Sequence, residues 1–434
     1  MPHALIINPW ATDFKLYDEW MHPLGLYFLL SLLQHNNWEI DFVNCLDRGP
    51  STKTKRYDTG DFDSRGYPRP AVYRSIPRRY KMYGISCEEF NLSLDSLTTP
   101  DIIFVGSGMT YWYPGLAATL DHLRTRYPRI PILVGGTTAT LMPHLLTNRD
   151  EYTFVFTGPL TARAGGPPLE LPGGHALGCA DWSPGLIDAF KHFDTLRHGP
   201  ILATTGCPYS CTYCASKQLQ GPFNPRPIER VVKETGFLID TLGVSNCSFF
   251  DDALLYDSNN HFFPLMNEIP QADICFHAPN GLHLRWITTK TAALMKKRNF
   301  KTLRFGYESG MGKYSKDTNQ KASLRLVEEK TSLLYDAGFE GRDIGIYVMA
   351  GLPGQRPDDV IGEIKAVAQF GTKVKPVFLS PVPHTPLFGY YAELFPQIRT
   401  DPLWQNDVFF ITQLSGWDEK SIEEIKHRGK AGTQ

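Results

Sequence analysis

Apolar and polar positions alternate through the first third of the chain in short blocks, and each block reads as one element. Residues 4–8 (ALIIN) form a short apolar strand that ends in a polar loop. Residues 23–34 are apolar nearly throughout and predict a buried helix, with Pro23 in its first turn where a missing N–H costs nothing. Residues 38–44 alternate and predict a second strand, ending at Cys45. A third strand over 101–106 is followed by a helix over about 114–127. A fourth, 130–134, runs into Gly135-Gly136, and 152–156 is a fifth. Strands and helices alternating at this length predict a doubly wound parallel sheet, α/β in class. Such sheets bind ligands outside the carboxyl ends of their strands. Here those ends carry Asn8, the Ser107-Gly-Met-Thr110 loop and Gly135-Gly136-Thr137-Thr138.

From residue 196 the pattern becomes repeated strand–helix units. Strands are expected over 201–206, 244–250, 273–277, 302–306, 343–349 and 375–380, with helices between them, among them 228–242, 288–297, 322–337 and 357–370. Six units fall short of an eightfold barrel, so the expectation is a partial (βα)6 barrel with an open side. Domain bounds follow: 1–160 for the first domain, 161–195 for a linker, 196–389 for the barrel and 390–434 for a helical tail. The linker rests on Gly165-Gly-Pro-Pro168 and Pro172-Gly-Gly174. The tail holds Trp404, Trp417 and a charged helix over 419–428, expected to pack over the open side. Within the first domain, 48–90 is an insertion in which Arg56, Arg65, Arg69, Arg74, Arg78, Arg79 and Lys81 interleave with tyrosines. That mixture can serve single-stranded nucleic acid or form a covering loop. The covering loop, touching an anionic cofactor or substrate, is the expectation.

Composition narrows the class. A chain of 434 residues, 42% hydrophobic and 21% charged with net charge −1, is an ordinary globular protein of two or three domains. The near-neutral balance speaks against nucleic acid or anionic membrane as general partners. Neither a secretory signal nor a membrane span is expected, since no apolar run approaches the ~20 residues a span requires. Free thiols point to a reducing, cytoplasmic interior.

The chemistry concentrates in Cys207-Pro-Tyr-Ser-Cys211-Thr-Tyr213-Cys214. Three thiols so spaced on a tight loop can grip one metal centre. One option is structural zinc with His198 or His192 as fourth ligand, but the other cysteines are scattered singly and supply no second pair. The other is an iron–sulfur cubane, whose fourth iron three cysteines leave open. The spacing, with an aromatic residue before the third cysteine, resembles the signature of the radical S-adenosylmethionine (SAM) superfamily. That resemblance implies a 4Fe-4S cluster on Cys207, Cys211 and Cys214, whose open iron is chelated by SAM and which, once reduced, cleaves SAM to a 5'-deoxyadenosyl radical.

The first domain resembles the cobalamin-binding domain that precedes the radical SAM barrel in one large subclass, through the Pro-Leu-Gly helix start, the Ser-Gly-Met-Thr loop and Gly-Gly-Thr-Thr-Ala-Thr. The resemblance implies cobalamin contacts at Asn8, Ser107, Thr110, Gly135, Gly136 and Thr137. No Asp-x-His-x-x-Gly string occurs, so no histidine ligand to cobalt is implied, and His22 reads as a helix-start residue. For SAM it implies Tyr213, Asp251-Asp252, Asn280, Glu308-Ser309 and Leu352-Pro353. Helix capping is open to Asp251-Asp252, an ion pair with Arg304 to Glu308, and plain structural roles to His277 and His283. The implied reaction is methyl transfer to an unactivated carbon of an unknown small-molecule or peptide substrate, served by an electron donor such as flavodoxin or ferredoxin. A rearrangement, cyclisation or oxidation without cobalamin, and a non-catalytic zinc scaffold, are the alternatives.

Overall fold

The computed structural model describes residues 1–49, 52–310 and 322–431. They form two compact units, Met1–Asp194 with Gln218–Gln220 and Ile398–Trp404, and Thr195–Lys217 with Gly221–Gln397 and Gln405–Gln434.

The first unit is built on five parallel strands, β1 (His3–Asn8), β2 (Glu39–Asn44), β3 (Ile102–Val105), β4 (Ile132–Val134) and β5 (Thr153–Val155), in the order β2-β1-β3-β4-β5. Ala4 to Ile7 in central β1 are fully buried, as expected of a strand covered on both faces. The order reverses between β1 and β3, and that switch point is where doubly wound sheets leave a crevice. The helix Leu24–His35 between β1 and β2 is buried from Leu26 to Leu33, because a second layer covers its far side. Tyr27 meets Phe190 and Phe193 at 6.4 and 5.3 Å, and Trp182 Nε1 donates to Ser31 Oγ at 3.5 Å.

That second layer is the stretch expected as a linker. Leu169–Glu170 pairs antiparallel with Ala176–Leu177, and Gly173 and Gly174 take positive φ in the turn between them. The glycines therefore close a hairpin, and the first unit runs on to Asp194. Asn36 fastens the hairpin's end, accepting from Gly178 N at 2.6 Å and donating to Gly178 O at 3.1 Å.

The insertion over 48–90, whose residues 50–51 lie outside the described ones, is folded onto the same unit. Ser64–Gly66 and Ala11–Asp13 flank Lys81–Tyr83 in an antiparallel sheet. Two of its tyrosines pack with Phe14 from outside it: Phe14, Tyr73 and Tyr80 meet one another at 5.0 to 5.3 Å. Tyr73 and Tyr80 are buried in this cluster, whereas Tyr57 and Tyr67 are half-buried. The insertion ends in the helix Cys87–Asp95, started by a capping box between Ser86 and Glu89.

The second unit carries β6 (Gly199–Ile201), β7 (Asn246–Phe249), β8 (Cys275–Leu282), β9 (Phe300–Glu308), β10 (Ile344–Ala350) and β11 (Lys373–Phe378), all parallel and in sequential order. This is the expected partial barrel, with β6 and β11 at its edges. Phe249 and Phe300 stack inside it at 5.7 Å. The strand expected over 201–206 breaks after Ile201, because the Asp251 carboxylate takes the N–H groups of Ala203 and Thr204 that a ladder would need. In the tail, the helix Glu419–Ala431 packs on β11 and on the helix Pro357–Ala368. Gly429 permits the approach, since a Cβ there would lie 2.5 Å from Pro376 Cδ. Residues 398–404 of the expected tail belong to the first unit, where Leu403 O accepts from the Tyr73 hydroxyl at 2.8 Å.

Candidate active site

The cysteine loop leaves the carboxyl end of β6 as a closed hairpin, since Thr204–Thr205 pairs antiparallel with Asn224–Pro225. Gly206 has φ +67, and a Cβ there would sit 2.4 Å from Pro222 O, so the turn into Cys207 requires glycine. The loop's base is anchored by two buried charges. Asp251 on β7's carboxyl side accepts from Ala203 N at 3.1 Å and from the Thr204 hydroxyl at 2.7 Å. Arg226 donates to Leu202 O at 2.6 Å and pairs with Glu234 at 2.7 Å.

The loop's middle and end are held as well. Tyr209 stacks on His283 at 4.2 Å and accepts from Trp286 Nε1 at 2.9 Å. Tyr213 donates its hydroxyl proton to Glu308 Oε1 at 3.1 Å, and Leu387 N donates to Thr212 O at 3.0 Å. The thiol positions are therefore set by elements from β7, β9 and the helix Pro386–Leu394 rather than by the loop alone.

Cys207 and Cys211 are half-buried; Cys214 is exposed as a residue, but its sulfur faces into the protein. Loss of solvent around the Cys214 sulfur pushes it up to about 11; the Ser216 N–H opposes this, while Asp252, Cys211 and Cys207 add to it. Thiolates that penalise one another in this way suit a cationic metal centre, which offsets the repulsion. Among the described residues no three His, Cys, Asp or Glu side chains converge on a single ion. A cubane has no such requirement, because each thiolate binds a different iron. The residues present fit a 4Fe-4S cluster.

The residues expected to hold SAM divide into two groups. Tyr213 lies within the loop, and Glu308 and Asp252 are bonded to Tyr213 and Ser216 beside it. Glu308 ends β9 at φ +65, a left-handed conformation that a non-glycine residue adopts only where its surroundings impose it. Asp252 is bonded to the Ser216 hydroxyl; burial raises its carboxyl and that hydroxyl opposes the shift. Asn280 is exposed and donates to Phe250 O at 2.8 Å. Asp251, Ser309 and Leu352 instead use polar groups within the fold. Burial pushes the Asp251 carboxyl up to about 6 against the pull of its Thr204 and Ala203 donors. Ser309 donates to Glu363 at 2.7 Å, and Leu352 N donates to Gln355 Oε1 at 3.1 Å; Pro353 is half-buried beside it. His277 is buried against Asn246 at 3.0 Å, and His283 is the platform under Tyr209. Tyr209, Ser216, Gln355 and Glu363 also support the site, and of these only Tyr209 lies within the cysteine motif.

On the first unit, the residues expected to meet cobalamin lie along the carboxyl edge of the sheet. Asn8 and Asn44 bond across β1 and β2 at 2.7 Å. Ser107 stitches the loop after β3 to the loop after β4, donating to Gly135 O at 2.7 Å and accepting from Thr137 N at 2.8 Å through its carbonyl. Gly136 has φ +97, and a Cβ there would stand 2.5 Å from Ser107 O. Thr110 is buried, whereas Met109 beside it is 49% exposed. An edge of bare glycine backbone next to an exposed methionine fits a broad, flat, partly apolar group such as a corrin. His22 Nδ1 lies 3.1 Å from the Tyr27 hydroxyl at the start of its helix, consistent with a helix-start role.

Residues 201–367 match the family model of the Radical SAM superfamily. An uncharacterized methyltransferase of Pyrococcus horikoshii is 24% identical over 226 residues, 47% of this chain and 44% of its own length. A tRNA-2-methylthio-N(6)-dimethylallyladenosine synthase of Thermodesulfovibrio yellowstonii is 23% identical over 265 residues, 58% of this chain and 59% of its own length. The chain thus spans about half the length of the curated relatives it matches. Among solved structures, the radical SAM methyltransferase TsrM of Kitasatospora setae, with tryptophan substrate and a SAM analog bound, superposes with TM-score 0.58 at 13% identity, covering 91% of this chain and 76% of that one. The cobalamin-dependent enzyme OxsB, with aqua-cobalamin and SAM bound, gives TM-score 0.54 at 14% identity, covering 92% and 56%. At these identities the likeness is one of fold, an α/β sheet followed by a partial barrel. No helix among the described residues is long and apolar enough to cross a membrane.

Proposed function

We propose that this is a cobalamin-dependent radical SAM enzyme that methylates an unactivated carbon of a small-molecule or peptide substrate. The observation that carries the reading is the thiol loop, three cysteines held at the carboxyl end of β6 by neighbouring strands, with Glu308 and Asp252 beside it. Cys207, Cys211 and Cys214 hold the cluster. When bound, the cluster supplies an electron for SAM cleavage and cobalamin supplies a methyl group, which divides radical generation from group transfer. In this reading the Glu308 carboxylate accepts from ribose hydroxyls, and Asp252 accepts from an ammonium group. On the first unit, Asn8, Ser107 and buried Thr110 brace the sheet edge, and the corrin lies on the Gly135–Thr137 backbone that they hold. An electron donor of the flavodoxin or ferredoxin kind, in a reducing cytoplasm, completes the requirement.

The fold shared with TsrM, a radical SAM methyltransferase also solved with cobalamin and a [4Fe-4S] cluster bound, and with the cobalamin-dependent OxsB supports the methylation reading over one without cobalamin. Anaerobic purification tests it through a cofactor inventory: about four irons per chain and a corrin spectrum that survives desalting after incubation with hydroxocobalamin. Iron without retained corrin would reduce the reading to a radical SAM enzyme that works without cobalamin. A zinc-loaded, iron-free protein would end it.

A further inference from the structure

The insertion of the first unit gathers positive charge that no carboxylate in its own pocket neutralises. Ser64, Arg65, Tyr67, Arg69, Arg79 and Lys81 are among the residues closing a pocket of about 400 Å3, and its lining contains four cations and no acid. Backbone carbonyls hold two of the guanidiniums: Arg65 donates to Ile85 O at 2.7 Å, and Arg69 donates to Arg78 O at 2.6 Å. Carbonyls orient a guanidinium without cancelling its charge. Arg65 also lies over the Trp10 ring at 5.1 Å. Glu89, the acid that feels Arg65, already accepts from Ser86 N at 2.7 Å. Lys81 Nζ has the Ser64 hydroxyl at 3.5 Å, and Arg69, Arg79 and Lys81 make no ion pair with a carboxylate among the described residues.

Arg65 and Tyr67 also form part of the wall of a larger cleft, about 930 Å3, whose other sides include Trp10, Met82, Tyr113, Ala117 and Leu145. This cleft uses the outer face of the helix Tyr113–Arg126. Leu116, Leu120 and Leu123 of that helix are buried toward the sheet, whereas Ala117 and Ala118 line the cleft. Its two acids are already engaged, Asp121 with Arg149 at 2.5 Å and Asp401 with Leu403 N at 2.9 Å. A mostly apolar cleft and a pocket with four cations and no acid thus share a wall, and neither is the glycine edge assigned to the corrin.

We propose that the pocket and the cleft together form a second ligand site, for a phosphate monoester of an apolar or aromatic alcohol. The phosphate is held by Arg69, Arg79 and Lys81, and the organic part lies against Trp10, Met82 and Ala117. A phosphate monoester carries nearly two negative charges and presents several acceptor oxygens, which matches several cations better than a single carboxylate does.

The test uses the full chain and needs neither cluster nor SAM, so its failure leaves the radical SAM reading untouched. Calorimetric titration compares naphthyl phosphate with naphthol and with inorganic phosphate. The site predicts naphthyl phosphate binding at least about tenfold tighter than either fragment, weakening as salt is raised. Replacing Arg69, Arg79 and Lys81 together by alanine lowers its affinity by about tenfold or more and leaves naphthol binding unchanged. The single charge reversal Arg79→Glu, at an exposed position, gives the same direction should the triple variant misfold. Naphthyl phosphate no tighter than its fragments, or an Arg79→Glu variant that binds as the natural chain does, overturns the proposal.

Discussion

The two units carry their candidate sites at the carboxyl edge of a parallel sheet, and they treat that edge in opposite ways. In the second unit, long-range bonds converge on one loop from outside it, from Asp251, Tyr213–Glu308 and Leu387. In the first unit the edge groups are spent on one another, Asn8 on Asn44 and Ser107 on the 135–139 segment. What it offers a ligand is glycine backbone and the exposed Met109. In the proposed reading, one edge binds metal through side chains and the other receives a broad molecule through shape.

That contrast is open to attack on each side. The largest effect is expected at Gly136, where valine would meet Ser107 O and force a side chain onto φ +97. Gly136→Val should cost roughly 2–4 kcal/mol of first-unit stability and abolish corrin retention. Iron content should be unchanged, and a variant that loses iron as well would show that the two edges are not independent.

Next is Asp251. Its folded-state carboxyl is raised to about 6 by burial, above the ordinary carboxylate range. The folded state therefore binds the proton more tightly than the unfolded chain. The contribution to stability is greatest below about pH 4 and declines as pH rises toward about 6. By linkage the loss is at most about 3 kcal/mol across that window. Asp251→Asn should remove this slope, read as denaturation midpoints at several pH values; an unchanged slope assigns it to other groups. The smallest effect is expected for Tyr213→Phe, which deletes the 3.1 Å bond to Glu308. It should cost about 1 kcal/mol and appear as a roughly fivefold weaker Kd for SAM with iron content intact.

The same contrast explains what the sequence made legible. The cysteine loop and the six barrel strands are contiguous signals, each readable within about ten residues. Both sheets followed from apolar runs at regular spacing. The break after Ile201 was invisible because its cause, Asp251, lies far along the chain and acts through Ala203 and Thr204. The 161–194 segment was misleading for a different reason: Gly173 and Gly174 signal a turn, and a turn in a hairpin has the same composition as one in a spacer. Trp182 and Phe190, both buried, were the counter-signal. The recruitment of 398–404 into the first unit depends on tertiary bonds such as Tyr73 to Leu403, which no local pattern encodes.

The account stands most directly on the three thiols. Reconstituted anaerobically and reduced with dithionite, the protein should convert SAM to 5'-deoxyadenosine, measured by mass spectrometry. Cys214→Ala should hold less iron and form at least about a hundredfold less product, a loss of nearly 3 kcal/mol in the barrier, while its first unit still retains corrin. Product formation by Cys214→Ala at the level of the natural chain, or none by the iron-loaded natural chain, would contradict the assignment of this loop as the cluster site.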